Sequence, residues 1–377
     1  MTRICTAISE KRENPHGGDI YSAAKLYGYN IQDILDFSAN INPLGVPKGL
    51  KEKIISSIDS LVNYPDTDCR VLKEAISKYL NITYDNIIPG NGASELIYLL
   101  FEVLSPKKVV IPAPSFCEYA KAAGRYGSLI HYIRLKEEND FRLDIDELIN
   151  NMPSDTDAVM LCNPNNPTST LASKDDLKHL IEYAREKNIY VIVDEAFIEL
   201  TEGSNDNSIV RYVKDYDNLF VLRAFTKIFA IPGLRLGYLI GNREKINLMW
   251  DKKIAWSVNS LALCVGEYLG ESCEYLQKTQ EWLSNERLWF YLELSRIHGI
   301  KVFKPSTNFI LIKLLDLYTS SSEIKESLAK RGILIRNADN FEFLNDRSIR
   351  IAIKDRESNI KFLDTFESVI KELWKVS

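Results

Sequence analysis

At 377 residues, 45% hydrophobic and 26% charged, the chain has ample material for a core and a length that holds two or three average domains or one large α/β unit with a smaller companion. Its net charge of −5 argues against nucleic acid or an anionic membrane as main partner and leaves small anionic ligands open, since local cation clusters decide those. Six scattered cysteines without a CxxC pair, four histidines without zinc spacing, and no signal-like or membrane-length apolar run predict a cytoplasmic protein with reduced thiols and no metal site.

From Met1 to about Gly49 the sequence is irregular and rich in Gly, Asn and Pro. Within it, SAAKLYGYN suggests a short helix, and SANINPLG reads as a strand followed by a turn. Lys51 to Val62 has the periodicity of an amphipathic helix, and NYPDTDCRVLKEAISKYL is a turn leading into another. A strand–helix rhythm follows. NIIPGNGASELIYLLFEVL gives strand, glycine turn and helix, and KVVIPAP, LIHYIRL, AVMLCNPNNP, IYVIVDEAF, LFVLRAFTK and LGYLIG are further strands. Several are near-continuous apolar runs, as in strands covered on both faces. A helix is expected over Asp175 to Asn188, with Ser173 as its N-cap. Such alternation predicts an α/β fold with a mostly parallel sheet in a large domain spanning residues 50–260. After Trp256 the pattern is helical almost throughout. It then turns to a strand pair in VFKPSTNFILIKL, a helix in SSEIKESLAKRG, the short runs ILIRNA and SIRIAIK, and a closing helix to about Trp374. That is a smaller α+β unit.

Lys227 ends the apolar run LFVLRAFTK, and Arg235 follows eight residues later in a Pro-Gly loop. Strand packing needs no lysine there, and burying one without a partner is costly. A desolvated lysine of lowered pKa, however, is suited to condensing with a carbonyl. Taken alone, Lys227 reads more readily as a lysine leaving a strand end into solvent, since most lysines are exposed. Gly90-Asn91-Gly92-Ala93-Ser94 opens a helix, where amides and the helix dipole suit a phosphate; ordinary capping by Ser94 is the alternative. Asn163 to Thr168 is an Asn/Pro loop in which Asn166 can offer an amide, although such residues favour turns anyway. Asp194 ends a strongly apolar strand one strand-helix-strand step before Lys227 and should be paired. An acid facing a heterocyclic nitrogen and a lysine facing an aldehyde are the two contacts that pyridoxal phosphate demands.

In combination, GNGASE, CNPNNPT, VIVDEAF, FTKIFAIPGLRLGY and a late SIRIA arginine resemble the fold-type-I pyridoxal-phosphate enzymes, the aspartate aminotransferase superfamily, over essentially the whole chain. HGGD, LDFSANINPLG, NYPD and KIAWSVNSLA are similar to the branch of that superfamily holding threonine-phosphate decarboxylases and their relatives, the histidinol-phosphate aminotransferases. The resemblance implies a small domain made of residues 1–49 and 261–377, and a phosphorylated amino acid, such as threonine, serine or histidinol phosphate, as substrate. It implies that Lys227 binds the cofactor covalently and moves a proton. Asp194 pairs with the ring nitrogen, Asn166 bonds the ring hydroxyl and Phe116 stacks on the ring. Ala93, Ser94, Thr226 and Arg235 hold the cofactor phosphate, with Tyr64 reaching it from a neighbouring subunit in a homodimer. His16, Gly17, Asn40, Asn166, Arg336 and Arg350 match substrate positions, Arg350 for a carboxylate and Arg336, His16 and the Gly17 amide for a phosphate. Three positions depart from the pattern. Ala224 replaces a hydroxyl residue, Ser169 a glycine, and Phe197 a tyrosine that aminotransferases commonly carry; the last favours decarboxylation.

Overall fold

The computed structural model describes residues 17–315 and 319–375. A two-residue strand, β1 (Leu35–Asp36), precedes the main sheet, which comprises β2 (Ile87–Asn91), β3 (Lys108–Ala113), β4 (Leu129–Arg134), β5 (Ala158–Cys162), β6 (Tyr190–Asp194), β7 (Leu219–Ala224) and β8 (Leu236–Ile240). Their spatial order is β2-β8-β7-β6-β5-β3-β4. Neighbours from β7 to β4 are parallel, whereas β8 runs antiparallel to both β2 and β7. The expectation of a mostly parallel sheet holds, with LGYLIG as the reversed member. An apolar run reads the same in either direction, so direction was not legible in it.

Burial follows from this layering. Residues of β5 to β8 are almost all buried, while β4 at the edge is largely open. Alternate side chains enter different cores. Val191, Val193 and Val221 join one, and Ile192, Phe220 and Leu222 the other, which is packed under the helix Gly92–Leu104, as the period of two requires. The crossover from β6 to β7 differs from expectation: three short 3-10 turns, Ile198–Leu200, Ser204–Asn207 and Val210–Lys214, replace a helix. The polar segment TEGSNDNS between them has no apolar stripe with which a helix could cover the sheet.

The remaining strands are β9 (Ile300–Val302), β10 (Phe309–Leu314), β11 (Ile333–Leu334), β12 (Arg336–Asn337) and β13 (Ser348–Ala352). A four-stranded antiparallel sheet runs β12-β13-β10-β9. β1 pairs in parallel with β11, so the N-terminal segment packs on the C-terminal unit. Beyond Asp36 the chain is irregular: Ser38 to Pro43 form no strand, because the polar groups of this stretch bond to the cavity wall rather than to a ladder. The helix foreseen over Lys51–Val62 breaks at Ser57 into Lys48–Ser56 and a 3-10 turn, Ile58–Val62. Ser173 caps its helix as foreseen, accepting from Asp176 N, with the helix itself at Lys174–Glu186.

Candidate active site

The carboxyl ends of β3, β5, β6 and β7 open on one edge of the sheet, where ligands of parallel α/β sheets sit. Because β8 is reversed, its amino end lies at that edge too: Ala224 is level with Gly237, and Asn91 with Leu236. Arg235, the residue just before β8, is thereby delivered beside the start of the Gly92–Leu104 helix. A cavity of about 360 Å³ occupies the edge. Gly17, Asn40, Ala93, Ser94, Phe116, Asn166, Asp194, Thr226, Lys227, Arg235, Arg336 and Arg350 all line it, as do Phe197 and Ala224.

Two predicted residues are not brought there. Tyr64 stands away from the cavity, 79% exposed and stacked on Trp256 at 4.5 Å. His16 lies outside the described residues.

Lys227 sits in the one-turn helix Phe225–Ile228 that ends β7. Among the described residues no carboxylate lies within ion-pair reach of its amine. Burial, reinforced by the positive fields of Arg350 and Arg235 and opposed by Asp194 and Asp36, pulls its pKa down to about 8. Phe197, 7% exposed, puts its ring 6.0 Å from the Lys227 Nζ.

Asp194 continues the Ile192 face of β6, level with Cys162 and Leu222. The Tyr119 hydroxyl donates to its Oδ2 at 2.7 Å and the Ala196 amide to its Oδ1 at 2.9 Å. Burial holds the carboxyl above the usual range, while these bonds and Lys227 act against it. Glu195 faces the other way into the opposite core. There it accepts from Arg223 Nη1 at 3.3 Å, Ser208 Oγ at 2.5 Å and Ile209 N at 2.9 Å. Arg223 also binds Glu199 and, at 2.6 Å, Asn205. This fully buried ion cluster fastens the end of β6 to the end of β7, directly behind Asp194 and Ala224.

The helix Gly92–Leu104 has no side-chain cap on its first turn, so Ser94 is not the cap that its position allowed. Gly92 is required there. Its φ is +76°, and a Cβ would stand 2.5 Å from Arg235 Nη2. The guanidinium of Arg235 therefore lies against the uncapped amides.

Across the cavity, Arg350 on β13 is 6% exposed. Its Nη1 donates to Asn166 Oδ1 at 2.6 Å and its Nη2 to Ser38 O at 2.8 Å, while its Nε has no partner among the described residues. Arg336 on β12 lies opposite it in register. It donates to Asn337 O at 2.5 Å and Asn340 Oδ1 at 2.6 Å. Burial and the mutual repulsion of the two guanidinium groups pull the Arg350 pKa down. Among the described residues neither arginine has a carboxylate partner. Asn40, 3% exposed, likewise holds a buried Oδ1 without a donor.

Ser169 occupies the family's glycine position with φ +63°. Its hydroxyl accepts the amides of Ser306 and Thr307 at 3.1 and 3.0 Å, tying the Asn166 loop to the chain entering β10. Sequence reasoning missed this tie, the Arg223 cluster and Tyr119. A signal for Tyr119 was available: it falls three residues after Phe116, and a buried tyrosine hydroxyl needs an acceptor.

These features fit pyridoxal phosphate on structural grounds. They are an amine without an acid partner, a buried carboxylate held by two donors, an uncapped helix start beside an arginine, and a flat wall at Phe116. The sequence profile for aminotransferase class I and II matches residues 32–366. A Caldanaerobacter subterraneus protein provisionally named a threonine-phosphate decarboxylase is 40% identical, over 95% of this chain and 94% of its own length. The threonine-phosphate decarboxylase of Salmonella typhimurium is 33% identical, over 94% of this chain and 96% of its own. The crystal structure of the histidinol-phosphate aminotransferase from Clostridium acetobutylicum superposes with a TM-score of 0.83 at 37% identity, covering 90% of this chain and 100% of that one. The chain belongs to the class I and II aminotransferase family and is a pyridoxal-phosphate-dependent enzyme.

Proposed function

We propose that this enzyme decarboxylates a phosphorylated amino acid, L-threonine O-3-phosphate, to (R)-1-amino-2-propanol phosphate and carbon dioxide, a step that would serve cobalamin biosynthesis. The observation carrying the proposal is the pair Arg336 and Arg350, two guanidiniums in the cavity that holds the Lys227 amine, without acid partners among the described residues. They suit a substrate with two anionic groups. In this reading Arg350 and Asn166 hold the α-carboxylate, and Arg336 with the Gly17 backbone holds the phosphate, joined by His16. Arg235, Thr226, Ser94 and the Ala93 amide hold the cofactor phosphate; Asp194 pairs with the ring nitrogen, Asn166 bonds the ring hydroxyl, and Phe116 covers one ring face. Pyridoxal phosphate, when bound, supplies an electron sink for a bond broken at the substrate α-carbon.

The chain's own residues then divide the work. Arg350 fixes where the carboxylate stands, and with it which α-carbon bond is aligned to break. Lys227 Nζ, its pKa lowered to about 8, is charged near neutrality and would deliver the proton that replaces the departed carboxylate on that carbon. Phe197 and Phe341 exclude water on the cavity wall.

A homodimer with shared sites belongs to the same proposal. Ile55, Ile58, Leu61, Val62, Tyr64, Ile254 and Trp256 are all exposed, an apolar surface of the kind that a partner covers. Tyr64 would thereby reach a neighbour's site. A cytoplasmic setting is supported by the free thiols at Cys69, Cys117, Cys162, Cys264 and Cys273. Among the described residues no helix is long and apolar enough to cross a membrane. A division into a large domain of residues 50–260 and a small one of 1–49 and 261–377 is supported by the separate sheets.

A second reading, histidinol-phosphate aminotransferase, is favoured by the 37% identity to the Clostridium structure. Incubation with phosphothreonine, phosphoserine and histidinol phosphate side by side separates the two. Carbon dioxide from phosphothreonine supports the first reading, and a keto acid or imidazole-acetol phosphate supports the second.

A further inference from the structure

Ser38 bonds in three directions. Its amide and hydroxyl donate to Asp36 Oδ1 at 2.8 and 2.5 Å. Its hydroxyl oxygen accepts the Gly18 amide at 2.7 Å. Its carbonyl accepts Arg350 Nη2 at 2.8 Å. The segment carrying it is wedged between strands: Phe37 N donates to Leu334 O at 2.8 Å, and Ala352 N donates to Phe37 O at 2.8 Å. Ser38 is 4% exposed and lines the cavity.

Contact with the N-terminal segment is close. A Cβ on Gly17 would stand 2.2 Å from the Ser38 carbonyl oxygen, so only glycine lets the chain cross here. The next element, the helix Ile20–Tyr27, buries none of its residues. Ile20, Ala23, Ala24 and Tyr27 form a half-buried stripe on it, so its docking leans on shallow apolar contact and on polar ties. Among the described residues the ties include Gly18 to Ser38 and, beyond the helix, the Tyr29 hydroxyl donating to Lys330 O at 2.7 Å.

We propose that Ser38, braced by Asp36, is a positioning residue that couples docking of the Gly17–Gly28 segment to the aim of Arg350. The proposal deepens the substrate reading above and rests on it for the role of Arg350. Asp36 makes the hydroxyl a donor toward its own carboxylate, which leaves the hydroxyl oxygen free to accept from Gly18. The same brace fixes the Ser38 carbonyl against Arg350. Loosening Ser38 therefore frees the segment and widens the arc through which Arg350 swings.

The test compares wild type, Ser38→Ala and Asp36→Asn as holoenzymes, each checked for the cofactor absorbance of wild type. Trypsin cleavage after Lys25 is followed without substrate, and kcat and KM are measured with L-threonine O-3-phosphate. Ser38→Ala is expected to speed cleavage about fivefold to tenfold, in line with the loss of a part-buried hydrogen bond, to raise KM at least fivefold, and to lower kcat, since Arg350 also aligns the bond that breaks. Asp36→Asn, which keeps an acceptor, is expected to move each in the same direction by less. Cleavage and KM that stay within twofold of wild type in Ser38→Ala would overturn the proposal, as would faster cleavage with KM and kcat both unchanged. Should Ser38→Ala fail to fold, Asp36→Asn decides alone, by a rise in cleavage and KM or by none. Cleavage needs no substrate, so a wild type that does not turn over phosphothreonine refutes the substrate reading, while the cleavage ratio still decides the Ser38 tie.

Discussion

The Tyr119 hydroxyl, buried in the first turn of the helix Glu118–Arg125 three residues after Phe116, donates to Asp194 Oδ2 at 2.7 Å. The same ring meets Phe116 edge-on at 5.5 Å. One side chain thus holds both the acid and the flat wall between which a cofactor ring would lie. Replacing Tyr119 with Phe keeps the ring contact and removes the donor. Asp194 then loses a bond that favours its charged form, so its pKa rises further. Cofactor affinity is expected to fall about tenfold, or ~1.4 kcal/mol, as measured by absorbance titration. An unchanged affinity would show that the Ala196 amide alone suffices.

Lys227 has its pKa lowered from 10.5 to about 8. Without cofactor it is therefore protonated at pH 7 at a cost to the fold. Lys227→Met should abolish turnover yet stabilise the cofactor-free protein by about 1–3 kcal/mol at pH 7, since a tenfold change in a protonation equilibrium corresponds to about 1.4 kcal/mol. Urea midpoints at pH 7 check this. The advantage of the variant should fade as pH rises above about 8. There the folded wild type has released the proton that the unfolded chain still binds, so wild-type stability climbs with pH.

The same lowering sets the pH dependence of cofactor capture. Only the neutral amine attacks an aldehyde. The capture rate of the cofactor-free enzyme should therefore climb through a midpoint near pH 8 and level off above it. Stopped-flow absorbance across the range of roughly pH 6–10 reads this, and a midpoint near that of a free lysine, about 10, would mean that burial, with Arg350 and Arg235 beside it, does not act on Lys227 as the geometry implies.

Ser169 holds a positive φ for the sake of two hydrogen bonds. Ser169→Ala keeps the strain and loses the bonds, and is expected to cost about 1–3 kcal/mol. Ser169→Gly loses the bonds but relieves the strain, so it should be more stable than the alanine variant by about 1 kcal/mol. Denaturant titration orders the three, and an alanine variant as stable as wild type would discard the tie.

Arg223→Met leaves Glu195 and Glu199 buried without their cation. Removing one partner of a buried ion cluster typically costs about 3–5 kcal/mol. The loss should be smaller near pH 5 than near pH 8, because burial already raises the Glu195 pKa and protonation relieves the unpaired charge. Urea midpoints at the two pH values test it.

Lys227, Asp194 and Arg235 were legible in the sequence because each sits where an apolar run meets a loop, and all such ends lie on one edge of a parallel sheet. Asn166 and the GNGAS turn followed for the same reason. Tyr119 was missed because it lies inside a helix, where an aromatic at helical spacing reads as core. The coupling of Ser38 to Gly18 and Arg350 depends on β1 and β11, two-residue strands at opposite ends of the chain. Pairing so short leaves no periodic trace. The direction of β8 was equally silent, since it does not change the pattern of apolar residues, whereas the helix-free crossover from β6 to β7 was legible in the polar segment TEGSNDNS.

The proposed reaction turns on Arg350 holding a carboxylate so that carbon dioxide leaves the α-carbon. Turnover of L-threonine O-3-phosphate labelled in the carboxyl carbon, with the label followed through wild type, tests this. One labelled carbon dioxide is expected for each aminopropanol phosphate formed. Label retained in a keto acid, with the amino group passed to the cofactor, would contradict that role for Arg350.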